Sequence, residues 1–239
     1  MTATETFKQW VEANHLTLSA HQIEQFQVYY ETLVSWNEKM NLTGITEENE
    51  VYEKHFYDSL TAAFAYDFTQ VNKVVDIGAG AGFPSVPLKI IYPHVDIVIV
   101  DSLKKRMTFL DHLASKLGIS GFRALHSRAE ELGKVKEHRE QYDLALSRAV
   151  ARMPVLLELC LPFVKENGMF LAMKGAEGKE ERKEGEVAAM QLGGTFEKTY
   201  ETFLPEEKSE RHILRVRKSH KTPAKYPRKP GTPAKKPLS

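Results

Sequence analysis

The chain has 239 residues, 42% of them apolar, and a formal net charge of +1 at pH 7. That length fits one α/β domain with extensions, and no apolar run approaches the ~20 residues of a membrane span. A single cysteine excludes an internal disulfide and fits a reducing compartment. The nine histidines are scattered, without C-x-x-C or H-E-x-x-H, so no metal site is expected. Met1-Thr2-Ala3-Thr4-Glu5 carries no apolar signal-peptide region, and a cytoplasmic monomer without membrane attachment is expected. Charge is unevenly spread. From Lys218 to Ser239 there are seven Lys/Arg and no acid, so the +1 balances a +7 tail against a −6 body. A basic tail on an acidic body points to a polyanionic partner met by one part of the molecule.

Residues 1 to 65 read as a helical extension. Ile23, Phe26, Tyr30, Leu33 and Val34 recur at three- and four-residue spacing and make one apolar face. Gly44 is the expected stop, and Thr46 the expected cap of the next helix. That helix carries Tyr52, Phe56, Leu60 and Phe64 on one side. His55 and Asp58, three apart on it, share a face. For Asn37, Asn41, His55 and Asp58 the expected role is capping and interhelical hydrogen bonding, with a substrate-facing role as the alternative.

Residues 66–218 alternate strand and helix. Strand Lys73–Ile77 is β-branched and apolar, as a strand covered on both faces requires. It runs into Asp76-Ile77-Gly78-Ala79-Gly80-Ala81-Gly82-Phe83-Pro84, which removes side chains from alternate positions of the turn. A dinucleotide fingerprint would be G-x-G-x-x-G with its third glycine at position 83, where this chain has Phe. Asp76 is a poor neighbour for a pyrophosphate and a good one for a cationic amino-acid end. The pattern resembles the first motif of S-adenosylmethionine-dependent methyltransferases, D-x-G-x-G-x-G. Gly78, Gly80 and Asp76 are therefore candidate cofactor residues.

A helix over about 84–92 leads to strand Val95–Val100, which ends at Asp101. This acid lies 19 positions after Gly82, near the ~20 expected for a carboxylate that accepts from a ribose. Asp101 or Ser102 as a helix cap is the other reading, and both can hold. Helix Leu103–Leu117 precedes strand Phe122–His126 and Ser127-Arg128-Ala129-Glu130. Backbone groups of Ala129 and Glu130 there either read an adenine edge or simply start a helix capped by Ser127.

Tyr142–Val150 gives the fourth strand and its exit, with Arg148 at the carboxyl end. Arg148 either holds an anionic phosphate or carboxylate or braces the loops by pairing with Asp76 or Glu130. Met153–Val164 reads as an apolar helix in which Cys160 is a buried hydrophobe rather than a nucleophile. Strand Met169–Met173 follows and ends at Lys174. Helix Gly178–Gln191 and two strands, Thr195–Phe203 and Arg211–Arg217, close the domain, the strands as a hairpin with Arg211, Arg215 and Arg217 on one face. The tail, 219–239, is interrupted by proline, reads as extended and non-helical, and suits RNA phosphates through its basic residues with Tyr226 as one stacking aromatic.

Taken together, Trp36–Thr43, Tyr57-Asp58-Ser59-Leu60, Asp76–Pro84, Asp101-Ser102 with Lys104-Lys105-Arg106, Arg128-Ala129-Glu130, Ser147–Ala151 and Tyr226–Gly231 resemble the bacterial 16S ribosomal RNA guanine-N7 methyltransferases, the glucose-inhibited division protein B family. The resemblance spans nearly the whole chain. It implies an α/β class I methyltransferase (Rossmann-like) sheet with helices on both faces and a small helical N-terminal extension. It also implies S-adenosyl-L-methionine contacts at Gly78, Phe83, Ala129, Glu130 and Arg148, with 16S ribosomal RNA or the small ribosomal subunit as substrate, the target being a guanine of the decoding-centre hairpin. The chemistry agrees. No [N/D]-P-P-[Y/F] stands at the end of strand four, Cys160 is badly placed to attack a pyrimidine, and guanine N7 already exposes a lone pair. Arg148 is the candidate catalytic residue. A ribose 2′-O-methyltransferase, suggested by Lys174, and a non-catalytic assembly factor with a cofactor cleft are the alternatives.

Overall fold

Strands with apolar residues on both faces need helices above and below them, and the connections between parallel strands supply those helices. The computed structural model describes residues 1–239. Helices α1 (Ala3–Glu12) and α2 (Ala20–Met40) come first. A continuous helical run follows: α3 (Glu48–Val51), a π-helical segment (Tyr52–Tyr57) and α4 (Asp58–Ala65). Then come β1 (Lys73–Ile77), α5 (Ser85–Ile91), β2 (Asp96–Asp101), α6 (Lys104–Leu117), β3 (Phe122–His126) and α7 (Ala129–Leu132). Next are β4 (Tyr142–Arg148), α8 (Met153–Cys160), β5 (Val164–Lys174) and α9 (Gly178–Gln191). The chain closes with β6 (Gly194–Phe196), β7 (Tyr200–Phe203), β8 (Glu210–Lys218) and α10 (Thr232–Lys235).

The sheet order is β3-β2-β1-β4-β5-β8-β6, with β7 also on β8. Strands β1 to β5 are parallel, and β8 runs antiparallel to β5. Strand order reverses between β1 and β4, so a crevice opens at their carboxyl ends. Helices α1 to α6 cover one face with a core that runs from Phe7 and Phe26 to Ile97 and Leu144. Helices α8 and α9 cover the other, with Leu157 and Ala188 in one core with Val75 and Val98.

Some boundaries differ from expectation for local reasons. Helix α2 stops at Asn41, in the left-handed region at φ 49°, and not at Gly44; Asn tolerates that conformation. Glu47, not Thr46, caps α3, accepting the Glu50 N–H at 2.9 Å. Pro162 has no N–H to extend α8, so the chain passes through a short 3₁₀ turn, Leu161–Phe163, and β5 begins at Val164. The expected closing hairpin is divided: Thr195–Phe203 forms two strands, β6 and β7, which pair with different parts of β8.

Two corrections concern charge. The tail is not a free extended arm, and it contains α10. Arg139 donates to the carbonyls of Thr222 and Tyr226, each at 2.8 Å. The fully buried Glu158 accepts from the Arg228 backbone N–H at 2.7 Å and from its guanidinium at 2.6 Å. Tyr226 and Leu238 are buried in the α8 side of the core. The second correction is Asp76, which is fully buried behind the turn. Its Oδ2 accepts from the Ser85 N–H at 3.2 Å, and its Oδ1 has no partner. Burial is the main cause that pushes its pKa up to about 7.

Arg228→Ala leaves the Glu158 carboxylate buried without its cation, and should cost about 3 kcal/mol in urea unfolding. For Asp76 the native pKa stands above the unfolded value of about 3.9, so the native state holds the extra proton between them. Stability should therefore fall as pH rises from about 4 to about 7. Asp76→Asn should flatten that slope relative to the parent in urea titrations across the same window.

Candidate active site

The crevice is built on the turn after β1. Gly78 sits at φ +77°, and a Cβ there would lie 2.5 Å from Val150. Gly82 sits at φ +100°, and a Cβ there would meet Val86 at 2.7 Å and the Tyr29 hydroxyl at 2.8 Å. Between them, a Cβ on Gly80 would meet nothing within 4 Å, so that stretch of backbone faces open space. The Tyr29 hydroxyl donates to the Ala81 carbonyl at 2.6 Å and ties α2 to the turn.

The open space is a cleft of about 530 Å³, lined by Gly78, Gly80, Phe83, Asp101, Ala129, Glu130 and Arg148. All the residues expected at the site meet there except Asp76. Leu42, Thr43 and His55 of the N-terminal extension, and Arg106 of α6, complete the wall.

Asp101 does two jobs at the end of β2. Its Oδ1 accepts the Leu103 N–H at 2.9 Å, which turns the chain toward α6. Its Oδ2 accepts the Gly80 N–H at 3.3 Å and the Arg106 guanidinium at 2.8 Å. Ser102 does not cap α6, whose first flanking residue is Leu103. Ala129 and Glu130 open α7 behind Arg128, and Ser127 bonds the Arg128 carbonyl instead of capping. The Glu130 carboxylate accepts the Gly231 N–H of the tail at 3.0 Å.

Arg148 pairs with neither Asp76 nor Glu130. Its Nη1 donates to Asp58 Oδ2 at 2.6 Å and to the Lys54 carbonyl at 3.2 Å. Its guanidinium carbon lies 5.1 Å from the centre of the Phe83 ring, within cation–π range. The other oxygen of Asp58 accepts from Arg211 Nε at 2.7 Å. One nearly buried carboxylate thus joins α4, β4 and β8. His55 stacks on Phe83 at 4.5 Å and 18°. Burial first, then the Arg148 charge, lowers its pKa to about 3, so the ring is neutral.

His55 and Asp58 share a face as their spacing implied, and the π-helical segment, a feature frequent at functional sites, delivers His55 to the cleft. Asn37 serves the capping role expected of it, its side-chain Oδ1 accepting the N–H groups of Leu42 and Thr43 just past the end of α2 at 2.6 and 2.8 Å. The sequence reading missed Thr43 and Arg106 as wall residues. Both lie in stretches that carry the resemblance, Lys104-Lys105-Arg106 and Trp36–Thr43, which is the signal that could have found them. The residues present fit an adenosyl sulfonium. Side-chain-free backbone faces the open cleft, a carboxylate ends β2, and Ile77, Val100 and Leu159 offer apolar surface.

Comparison with known proteins agrees with this geometry. The GidB family model, described as rRNA small subunit methyltransferase G, matches residues 22–214. The ribosomal RNA small subunit methyltransferase G of Halalkalibacterium halodurans is 58% identical over 233 residues, 98% of each chain. Among solved structures, a mutant of the 16S rRNA (adenine(1408)-N(1))-methyltransferase of Catenulisporales acidiphilia aligns with TM-score 0.54 at 16% identity, over 72% of this chain and 93% of that one. TYW2 of P. horikoshii, in complex with MeSAdo, aligns with TM-score 0.53 at 16% identity, over 69% of this chain and 63% of that one. At such identities the structural likeness speaks for the fold alone, a class I methyltransferase sheet. The family follows from the sequence match across nearly the full length: the chain belongs to the GidB family of small-subunit rRNA methyltransferases, and it is an S-adenosylmethionine-dependent enzyme.

Proposed function

We propose that this enzyme methylates N7 of a guanine in 16S ribosomal RNA, in the decoding-centre hairpin of the small subunit. The observation that carries this reading is that the acids and bases around the cleft are already engaged. Asp101 holds Arg106 and Leu103, Glu130 Oε1 holds the tail, Asp58 holds two guanidiniums, and His55, its pKa lowered to about 3, is too weak a base to take a proton at neutral pH. An exocyclic amine or a ribose hydroxyl loses a proton on methylation and calls for a general base. Guanine N7 offers a lone pair and no proton to remove. The cofactor, when bound, supplies an electrophilic methyl on sulfonium; the protein's share is to align that methyl with the lone pair and to exclude water.

A second cleft of about 690 Å³ adjoins the first across His55, Arg148 and Val150, and is lined by Lys54, Arg152, Lys174 and Arg211, each paired with an acid, and by Asp58, Glu177 and Glu181. We assign it to the RNA, with Arg148 between cofactor and base as the residue that holds one of them near the methyl. Lys174 favours no ribose chemistry, since its ammonium is held by Glu181 at 2.7 Å and the Ala151 carbonyl at 2.6 Å. The tail supports RNA as partner in a docked form: Lys225, Lys229, Lys235 and Lys236 are exposed and outside every ion pair, while Gly231 anchors the segment at Glu130 on the cleft. Phosphate contacts of this kind lower affinity steeply with added salt.

Borohydride–aniline treatment of 16S RNA, incubated with enzyme and cofactor, should cut the strand at one guanine. An alkali-resistant linkage would instead mean ribose methylation, and no transfer at all would mean a binding factor. Asp101→Ala should weaken S-adenosylmethionine by about 1.5–3 kcal/mol through lost charge-assisted hydrogen bonds. Calorimetry with unchanged affinity would take Asp101 out of the site.

A further inference from the structure

Thr43 stands on the loop after α2, at the cleft wall. Its hydroxyl oxygen accepts the Ile45 N–H at 3.0 Å and lies 2.8 Å from His55 Nε2. The far side of the imidazole sets the direction of that second contact. His55 Nδ1 lies 3.4 Å from Arg148 Nη2, and a guanidinium has donors and no acceptor. The Lys54 carbonyl beside the ring already accepts from Arg148 Nη1 at 3.2 Å, so Nδ1 is assigned as acceptor, and in a neutral ring the proton then sits on Nε2 and is donated to Thr43. Burial keeps the ring neutral, with its pKa lowered to about 3. Both lone pairs of the Thr43 oxygen are then taken, and its own O–H finds no acceptor in the protein. The Asn37 side-chain Oδ1 fixes the loop by accepting the Thr43 N–H at 2.8 Å.

We propose that Thr43 is a ligand-binding residue of the active site, its hydroxyl held as an obligate donor by His55 and Ile45 toward an acceptor atom of the bound molecule. His55 acts through Thr43 and is a positioning residue. The proposal rests on the methyltransferase reading of the cleft and extends it, because it brings a ligand contact from the N-terminal helices rather than from the sheet. Two groups present the acceptor chemistry required: the methionine carboxylate of the cofactor, and the O6/N7 edge of guanine.

Thr43→Val removes the hydroxyl and keeps the shape, while Thr43→Ser restores it. If the carboxylate is the acceptor, Thr43→Val should bind S-adenosylhomocysteine about tenfold more weakly, the size of one lost hydrogen bond. Its affinity for 5′-methylthioadenosine, which lacks the carboxylate, should not change. If the guanine is the acceptor, both affinities should hold while kcat/KM for RNA falls about tenfold and Thr43→Ser recovers it. In ¹⁵N NMR the His55 ring should carry its proton on Nε2 at neutral pH. Thr43→Val matching the parent in every binding and kinetic measurement would overturn the proposal, as would a His55 proton on Nδ1. The parent enzyme's own methyl transfer reports on the N7 reading separately, so either can fail without the other.

Discussion

The turn after β1 has no room for side chains at either end, and the site is assembled around that lack of room. Val150, from the loop after β4, fills the space where Gly78 would carry a Cβ, and Tyr29 of α2 does the same at Gly82. Tyr29 also stacks on Phe83 at 5.4 Å and 13° and holds the Ala81 carbonyl. Burial raises its pKa well above the usual phenol value, so the hydroxyl remains a donor. The bend is thus pinned from two directions, and only its middle, at Gly80, faces the cleft. Backbone that close to a ligand must be rigid to be useful, since a loose glycine loop would give back in ordering entropy what close approach gains.

The N-terminal helices consequently belong to the active site as much as to the core. Asp58 is the link. A buried carboxylate is costly, and one cation in good geometry only roughly offsets the cost. Here each oxygen has its own guanidinium, Arg148 at the end of β4 and Arg211 on β8. The arrangement holds three elements from distant parts of the chain in one register. It also leaves Arg148 with its remaining donors and its flat face turned toward His55 and Phe83.

What could be read from the sequence divides along the same line. Strands β1 and β3 and helix α9 are legible to the residue because strand and helix patterning, such as the β-branched run of β1, are local properties. Most of the cleft residues were legible too, because Gly78, Gly80, Asp101, Ala129 and Arg148 all lie just beyond the carboxyl ends of parallel strands or at their last residue, where the topology must gather them. Partners were not legible. Topology offers Arg148 two acidic candidates, Asp76 and Glu130, and the acid that binds it is neither: Asp58, 90 residues away on a helix that precedes the sheet. Motif position places Asp76 at the cleft but says nothing about which way a strand's side chain points. In a five-residue strand covered on both faces, that direction is into the core.

The tail shows the same limit from the opposite side. Its composition is that of disordered chain, with proline, lysine and few apolar residues. It folds because its acceptors lie elsewhere: Glu158 on α8 and Glu130 on α7, with Arg139 as donor to its carbonyls. Each anchor satisfies a backbone group that proline-rich chain cannot pair for itself. Two of the three are charged groups whose partners the body alone does not supply. The body therefore needs the tail as much as the tail needs the body. Since Glu130 both lines the cleft and holds Gly231, the cofactor side of the molecule and its most basic segment share one carboxylate. Through that shared group the basic segment is held at the mouth of the cleft.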